Sequence, residues 1–192
     1  MNDENRVNIV LAGRGGQGIL FATTVLEKAA LARGDDVIGS ETHGMAQRGG
    51  SVVSHLKLGG AAGPLVPAGE AHIVLSLERT ETFRVLRFLR PGGACLANIR
   101  DEDGVPDKVL EGLEAMDVSF FRLDADAVAR RLGAPQAANV AMLGLLASWP
   151  GAPFSKDELR EALGRSGAER FRETNLAVFE KGLEQAKADL GS

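Results

Sequence analysis

The sequence predicts an α/β fold: a Rossmann-like, largely parallel sheet with flanking helices, followed by a helical C-terminal segment. Three observations carry this. Short apolar, often β-branched runs recur at residues 7–12, 37–40, 71–77, 94–99 and 118–123. Segments with helical spacing of apolar residues lie between several of them. The run Gly13-Arg14-Gly15-Gly16-Gln17-Gly18 stands where the first strand gives way to the first helix. At 192 residues the chain has the size of one domain, 1–192, with 151–192 as its helical extension.

Residues 7–12 (Val-Asn-Ile-Val-Leu-Ala) end at Gly13 and read as a buried parallel strand. From 16 to 33, Ile19, Leu20, Val25, Leu26, Ala29 and Ala30 make one apolar helical face, and Gly34 occupies the position of a C′ glycine. Residues 37–40 form a second strand. The next stretch departs from strand–helix alternation: 42–50 is polar and Gly-rich with no helical pattern, and 51–58 alternate partly, as a third strand would. A Gly/Ala/Pro loop at 59–69 leads to a strongly apolar strand at 71–77. A helix follows at 80–90, with Phe83, Leu86 and Leu89 on one side, stopped by Pro91-Gly92-Gly93. Residues 94–99 return as a strand. Residues 118–123 are another, and Asp124 caps a short helix at 125–132. An apolar helix at 138–148 ends before Trp149-Pro150-Gly151-Ala152-Pro153. Ser155-Lys156-Asp157-Glu158 has the form of a capping box opening a further helix, and an amphipathic helix covers 171–190.

Composition narrows the function. The chain is 44% hydrophobic, too apolar for disorder. Its formal net charge of −4 argues against a general nucleic-acid binder. No uninterrupted apolar run reaches the ~18 residues of a membrane span, and the polar start Met1-Asn2-Asp3-Glu4-Asn5-Arg6 has no signal-peptide core, so a cytoplasmic protein away from membranes is expected. Cys95 is the only cysteine, which excludes an internal disulfide and leaves a Cys-ligated iron–sulfur cluster without ligands from this chain. Its apolar strand context reads as a core thiol.

Glycine is in excess, and half of the 24 glycines lie between Gly13 and Gly63. The first cluster fits G-x-G-x-x-G in its strand-to-helix context. Such glycines permit a tight turn and a close ligand approach, and the positive helix end then faces an anion. A turn needed only for packing would use the same residues. The second cluster, Glu41-Thr42-His43-Gly44-Met45-Ala46-Gln47-Arg48-Gly49-Gly50-Ser51, should emerge at the carboxyl edge of the sheet, close to the first. Arg48 could hold a phosphate or carboxylate bidentately, or simply pair with Glu41. His43 could donate a hydrogen bond or act as an acid–base group. His43 and His55 lack a third ligand for a metal, and no metal site is expected. Glu78 could reach the site or cap a helix. Glu41 lies 23 residues beyond Gly18, compatible with a ribose-binding acid. A stand-alone NAD(P)- or nucleotide-binding oxidoreductase is therefore one reading, weakened by the missing second helix.

The two clusters together, Gly13-Arg14-Gly15-Gly16-Gln17-Gly18-Ile19-Leu20 and Glu41 through Val52, resemble the gamma-type domain of 2-oxoacid:ferredoxin oxidoreductases, most closely the small (beta) subunit of the indolepyruvate type. Asn175-Leu176-Ala177-Val178-Phe179-Glu180-Lys181-Gly182 is similar to that family's closing helix. The resemblance covers nearly the whole chain. It implies oxidative decarboxylation of a 2-oxoacid to an acyl-CoA with reduction of ferredoxin. It also implies a large partner subunit holding thiamine diphosphate, magnesium and the iron–sulfur clusters, with this chain inactive alone. Carried onto this sequence, Gly13, Gly15, Gly16, Gln17 and Gly18 line a phosphate-accepting loop for CoA. Glu41, His43, Gln47 and Arg48 face the CoA or the partner's active site. The C-terminal helix could close the fold or exchange with another protomer, which leaves a homodimer of the isolated chain open.

Overall fold

Strands that are apolar on both faces need cover on both sides, and a three-layer arrangement supplies it. The structure, a computed structural model, describes residues 6–43, 49–60, 63–100 and 102–190. Its six strands are β1 (Val7–Arg14), β2 (Val37–His43), β3 (Ser51–Leu58), β4 (Ala71–Ser76), β5 (Leu89–Asn98) and β6 (Ser119–Leu123). They lie in the order β2-β3-β1-β4-β5-β6. β1, β4, β5 and β6 run parallel, while β3 is antiparallel to both β1 and β2.

One face carries α1 (Ile19–Arg33), α4 (Ala125–Arg131), α5 (Ala138–Ser148), α6 (Lys156–Gly164) and α7 (Arg172–Leu190), packed on Ile9, Leu11, Leu56 and Leu75. The other carries α2 (Arg79–Val85) and α3 (Asp107–Ala115), which meet Val10, Ala12, Val74 and Cys95 through Val85 and Leu113. Burial pushes the Cys95 thiol up to about 12, so it stays a neutral core group. The C-terminal segment is continuous with the main core, into which α7 inserts Val178, Phe179 and Leu183.

The expected elements are present, with three differences. β2 continues to His43, so Thr42 and His43 belong to a strand rather than to the loop. The helix expected at 80–90 is α2 over Arg79–Val85 followed by a 3-10 turn, Leu86–Phe88, and β5 already begins at Leu89. Pro91-Gly92-Gly93 thus lies inside the strand span. A Cβ on Gly93 would stand 3.0 Å from the carbonyl oxygens of Arg90 and His72, so only glycine lets the chain approach β4 there. Finally, α3 occupies a stretch with no predicted element; it fully buries only Leu113, with Val109 partly buried beside it.

Several buried polar groups tie this frame together. Thr23 on α1 donates to Ile19 O and meets Ser54 Oγ of β3, each at 3.0 Å. Buried Asn98 donates to Leu77 O at 3.1 Å and to Asp126 Oδ2 at 2.9 Å, and accepts from Ala125 N at 2.9 Å, which fastens the start of α4 to the sheet edge. Ser155 forms the full capping box with Glu158, and the hydrogen bonds from Ser155 hold the Glu158 carboxyl below the usual range. Ser155→Ala is expected to cost about 1 kcal/mol in urea unfolding. Because Glu158 is depressed in the folded state, its contribution is present above the ordinary carboxylate range and is lost as pH falls through the folded value. The Ser155→Ala deficit should therefore shrink on acidification.

Candidate functional site

β1 leads through α1 on one face toward β2, whereas β4 leads through α2 on the other face toward β5. The sheet order therefore reverses between β1 and β4. In open α/β sheets, ligands bind in the crevice outside the carboxyl ends of the strands at such a point. The first glycine cluster forms one wall of this crevice, and the start of α2 forms the other.

The loop's shape follows from its residues. Gly16 has φ 98° and Gly18 has φ 79°, in the left-handed region that favours glycine. Arg14 N donates to Gln17 Oε1 at 2.7 Å, and Gln17 N returns to Arg14 O at 3.1 Å. A Cβ on Gly13 would stand 2.8 Å from that Gln17 oxygen and 2.9 Å from Ile19 Cδ1. A Cβ on Gly16 would meet nothing within 4 Å, so the crest of the loop is open. Gly18 is the N-cap of α1 and no side chain caps that helix, so its amino end presents N–H groups toward the crevice. Gly18 O accepts from Ala22 N and from Asn139 Nδ2, both at 3.0 Å.

The two glycine clusters meet. Gly15 N donates to Gly50 O at 2.9 Å, beside the Arg14–Ser51 pair of β1 and β3. Ser51 Oγ donates to Glu81 Oε2 at 2.6 Å, and Arg84 Nη1 lies 3.3 Å from Glu81 Oε1. The buried Glu81 carboxylate thus ties the end of the second cluster to α2. Glu78 caps α2, accepting from Thr80 N at 3.1 Å and Glu81 N at 3.2 Å, and its Oε2 is 3.7 Å from Arg14 Nε. Of the two roles weighed for Glu78, the helix cap is the one seen, and the same oxygen stands beside Arg14 of the glycine loop. Arg14 also reaches Thr80 Oγ1 at 3.4 Å, spanning the crevice from β1 to α2.

Glu41 stands elsewhere. It lies within β2, level with Ser54 of β3 and Leu11 of β1. The antiparallel β3 separates β2 from β1, so Glu41 is two strand spacings, roughly 10 Å, from the strand that feeds the loop. In a regular dinucleotide fold β2 adjoins β1 and its terminal acid reaches the ribose; here it does not. Glu27 of α1 covers Gly39, and burial, then the Glu41 charge, raises the Glu27 carboxyl. The backbone of His43 is level with Val52 and Gly13. Gly44, Gln47 and Arg48 lie outside the described residues.

Spacing in the sequence marks the loop, but not Asn139, Thr80 or Ser51. Each is a polar residue at the start of an element or at a helix cap, with no motif of its own. Among the described residues, no group of three or more His, Cys, Asp and Glu side chains could hold a metal ion, and no helix is long and apolar enough to cross a membrane.

Comparison with known proteins adds to this geometry. The family model described as pyruvate ferredoxin/flavodoxin oxidoreductase matches residues 8–185. An indolepyruvate oxidoreductase subunit IorB from Thermococcus kodakarensis is 35% identical over 199 residues, covering 96% of this chain and 98% of its own length. Among solved structures, the gamma subunit of a keto/oxoacid ferredoxin oxidoreductase from Geobacter sulfurreducens is similar in fold, with a TM-score of 0.73 at 23% identity, covering 95% of this chain and 99% of that one. A 2-oxoglutarate:ferredoxin oxidoreductase from Magnetococcus marinus, solved with 2-oxoglutarate, coenzyme A and succinyl-CoA bound, has a TM-score of 0.76 at 22% identity, covering 96% of this chain and 31% of that one.

Proposed function

The chain belongs to the pyruvate ferredoxin/flavodoxin oxidoreductase family, and we propose that it is the small subunit of a thiamine-diphosphate-dependent 2-oxoacid:ferredoxin oxidoreductase of the indolepyruvate type. The observation that carries this is the end-to-end match to an indolepyruvate oxidoreductase subunit. In this reading the chain is one gamma-type domain that works in the cytoplasm. A large partner subunit holds thiamine diphosphate, magnesium and the iron–sulfur clusters and passes electrons to ferredoxin. The single cysteine of the sequence agrees with that division, since a cluster needs several thiolates.

The chain's own contribution is at the crevice between β1 and β4. CoA supplies the thiol that carries off the acyl group. Gly13, Gly15, Gly16, Gln17 and Gly18 hold one of its phosphates against the uncapped amino end of α1, where N–H groups and the helix dipole favour an anion. The open space over Gly16 gives that phosphate room. Glu41, His43, Gln47 and Arg48 face the partner or the rest of the CoA.

Purified alone, the chain is expected to be colourless and without turnover. Co-expressed with a thiamine-binding large subunit, it should support 2-oxoacid- and CoA-dependent reduction of a low-potential acceptor. Turnover by the isolated chain, or a large subunit that works equally well without it, would overturn the reading. Calorimetric titration with CoA and with NADH tests the loop separately: CoA should bind and NADH should not.

A further inference from the structure

β6 ends the sheet on the side away from β2, and no further strand covers its outer edge among the described residues. Leu123 O accepts from Ile99 N at 3.1 Å, within a register that runs unbroken from the Ala94–Ser119 pair to the Asn98–Leu123 pair. Phe121 and Leu123 therefore spend their N–H and C=O groups on β5, and the alternate residues Phe120 and Arg122 turn theirs outward. Among the described residues these outward groups have no hydrogen-bond partner. Val118 N is taken by Leu113 O at 2.9 Å, while Val118 O is open in the same way. Neither a proline nor a bulge blunts this edge.

The side chains along the edge are self-complementary. Val118 and Phe120 pack toward α3 and Phe121 toward the main core, so Arg122 shares the α3 face with Phe120. Arg122 is exposed and has no carboxylate partner among the described residues. At the other end of the strand a cavity of about 370 Å³ is lined by Leu110, Glu114, Asp117 and Phe120, among others. Glu114 and Asp117 are exposed and have no cationic partner among the described residues. Leu110 and Met116 of the same flank are 41% and 36% exposed. The edge thus combines open backbone and an apolar flank with carboxylates at its amino end and a lone guanidinium at its carboxyl end.

We propose that β6 pairs antiparallel with β6 of a second copy of this chain, across a two-fold axis at Phe120, so that one sheet runs through both molecules. An antiparallel pair matches outward residues with outward residues, which leaves few registers. Centring on Arg122 sets two guanidiniums opposite each other. Centring on Phe121 sets Arg122 against Phe120 and leaves the carboxylates unanswered. Centring on Phe120 brings Arg122 level with Val118 of the second copy, beside that copy's Glu114 and Asp117. Phe120 N then donates to Phe120 O of the second copy, Arg122 N donates to its Val118 O, and symmetry makes each bond twice. The two Phe120 rings meet on the α3 face. A strand of five residues makes a small contact, so the dimer is a weak one. It needs neither the glycine loop nor a large subunit and stands or falls apart from the reading above.

The test is sedimentation equilibrium of the full chain from about 5 to 200 µM, a range suited to a small interface, paired with amide hydrogen exchange. A monomer–dimer equilibrium is expected, in which the Phe120 and Arg122 amides exchange more slowly as concentration rises while the Phe121 amide does not change. Arg122→Pro removes an outward N–H, which an edge strand tolerates, and should abolish the dimer. Arg122→Glu and Glu114→Lys, both at exposed positions, should each weaken it by about tenfold or more, and the two together should recover part of the loss. Circular dichroism checks that each variant is folded, and the charge exchange carries the test if Arg122→Pro is not. A chain that stays monomeric at about 200 µM overturns the proposal. So does a dimer that folded Arg122→Pro leaves intact, one that does not slow exchange at Phe120 and Arg122, or one that the charge exchange fails to restore.

Discussion

Gly144→Ala and Gly182→Ala are each expected to cost about 3 kcal/mol or more of stability, although each adds a single methyl to a helix. A Gly-to-Ala change inside an exposed helix ordinarily stabilises by ~0.5–1 kcal/mol. Here the sign reverses because the new atom has no place. A Cβ on Gly144 would stand 2.3 Å from Phe179 O and 2.7 Å from Leu183 N of α7, and one on Gly182 would stand 2.3 Å from Ala141 O of α5. Both colliding partners are helix backbone, so no side chain can turn aside, and α5 must move away from α7. That separation loosens Val140, Leu143, Phe179 and Leu183, all buried in the main core. For a chain of this size the loss corresponds to a fall in Tm of about 6–12 °C, measurable by calorimetry. The double variant should fall by less than the sum, since the first methyl already parts the helices. A Tm that is unchanged or raised in either single variant would show that the helices do not cross this closely.

This crossing marks the limit of what the sequence discloses. The α5 pattern reads as a buried helix because apolar residues run through it without a polar face, and residues 139–146 are indeed buried throughout. Which face meets α7 depends on two glycines 38 positions apart, and periodicity within one helix does not encode that pairing. The sheet divides in the same way. Five of its strands are short apolar runs whose local pattern suffices. The place of β3 between β2 and β1, and its antiparallel direction, follow from a pairing register that sets Ser54 level with both Leu11 and Glu41. That insertion decides whether Glu41 can serve a dinucleotide at the loop, so a spacing argument that is sound for a regular fold fails here on topology. α3 escapes pattern reading because it is short, nine residues, and its apolar face of Val109, Leu110 and Leu113 spans little more than one turn. The glycine loop was legible because backbone conformation demands glycine locally. The Asn139 amide that supports it was not, since it arrives from 121 residues away.

That support makes a second large effect testable, this time on function. Gly18→Ala meets two obstacles. Its φ of 79° is unfavourable for any residue with a Cβ, at roughly 1–2 kcal/mol, and the methyl would stand 2.4 Å from Asn139 Nδ2. Asn139 must then give up its bond to Gly18 O, and the amino end of α1 shifts relative to the loop. In the complex with a large subunit, KM for CoA should rise by about tenfold or more, while KM for the 2-oxoacid stays the same. Adding Asn139→Ala should remove the collision and restore part of the stability, but the altered φ should keep the CoA defect. Gly16→Ala supplies the contrast. Its φ of 98° carries a similar strain, yet the space around its Cβ is empty in the protein itself. Its methyl would stand in the room assigned to the phosphate, so it should raise KM for CoA with only a modest change in Tm. If Gly16→Ala leaves KM for CoA untouched, the phosphate is held somewhere other than this loop. If it acts on CoA alone, the empty crest of the loop is the place where the chain meets its anion.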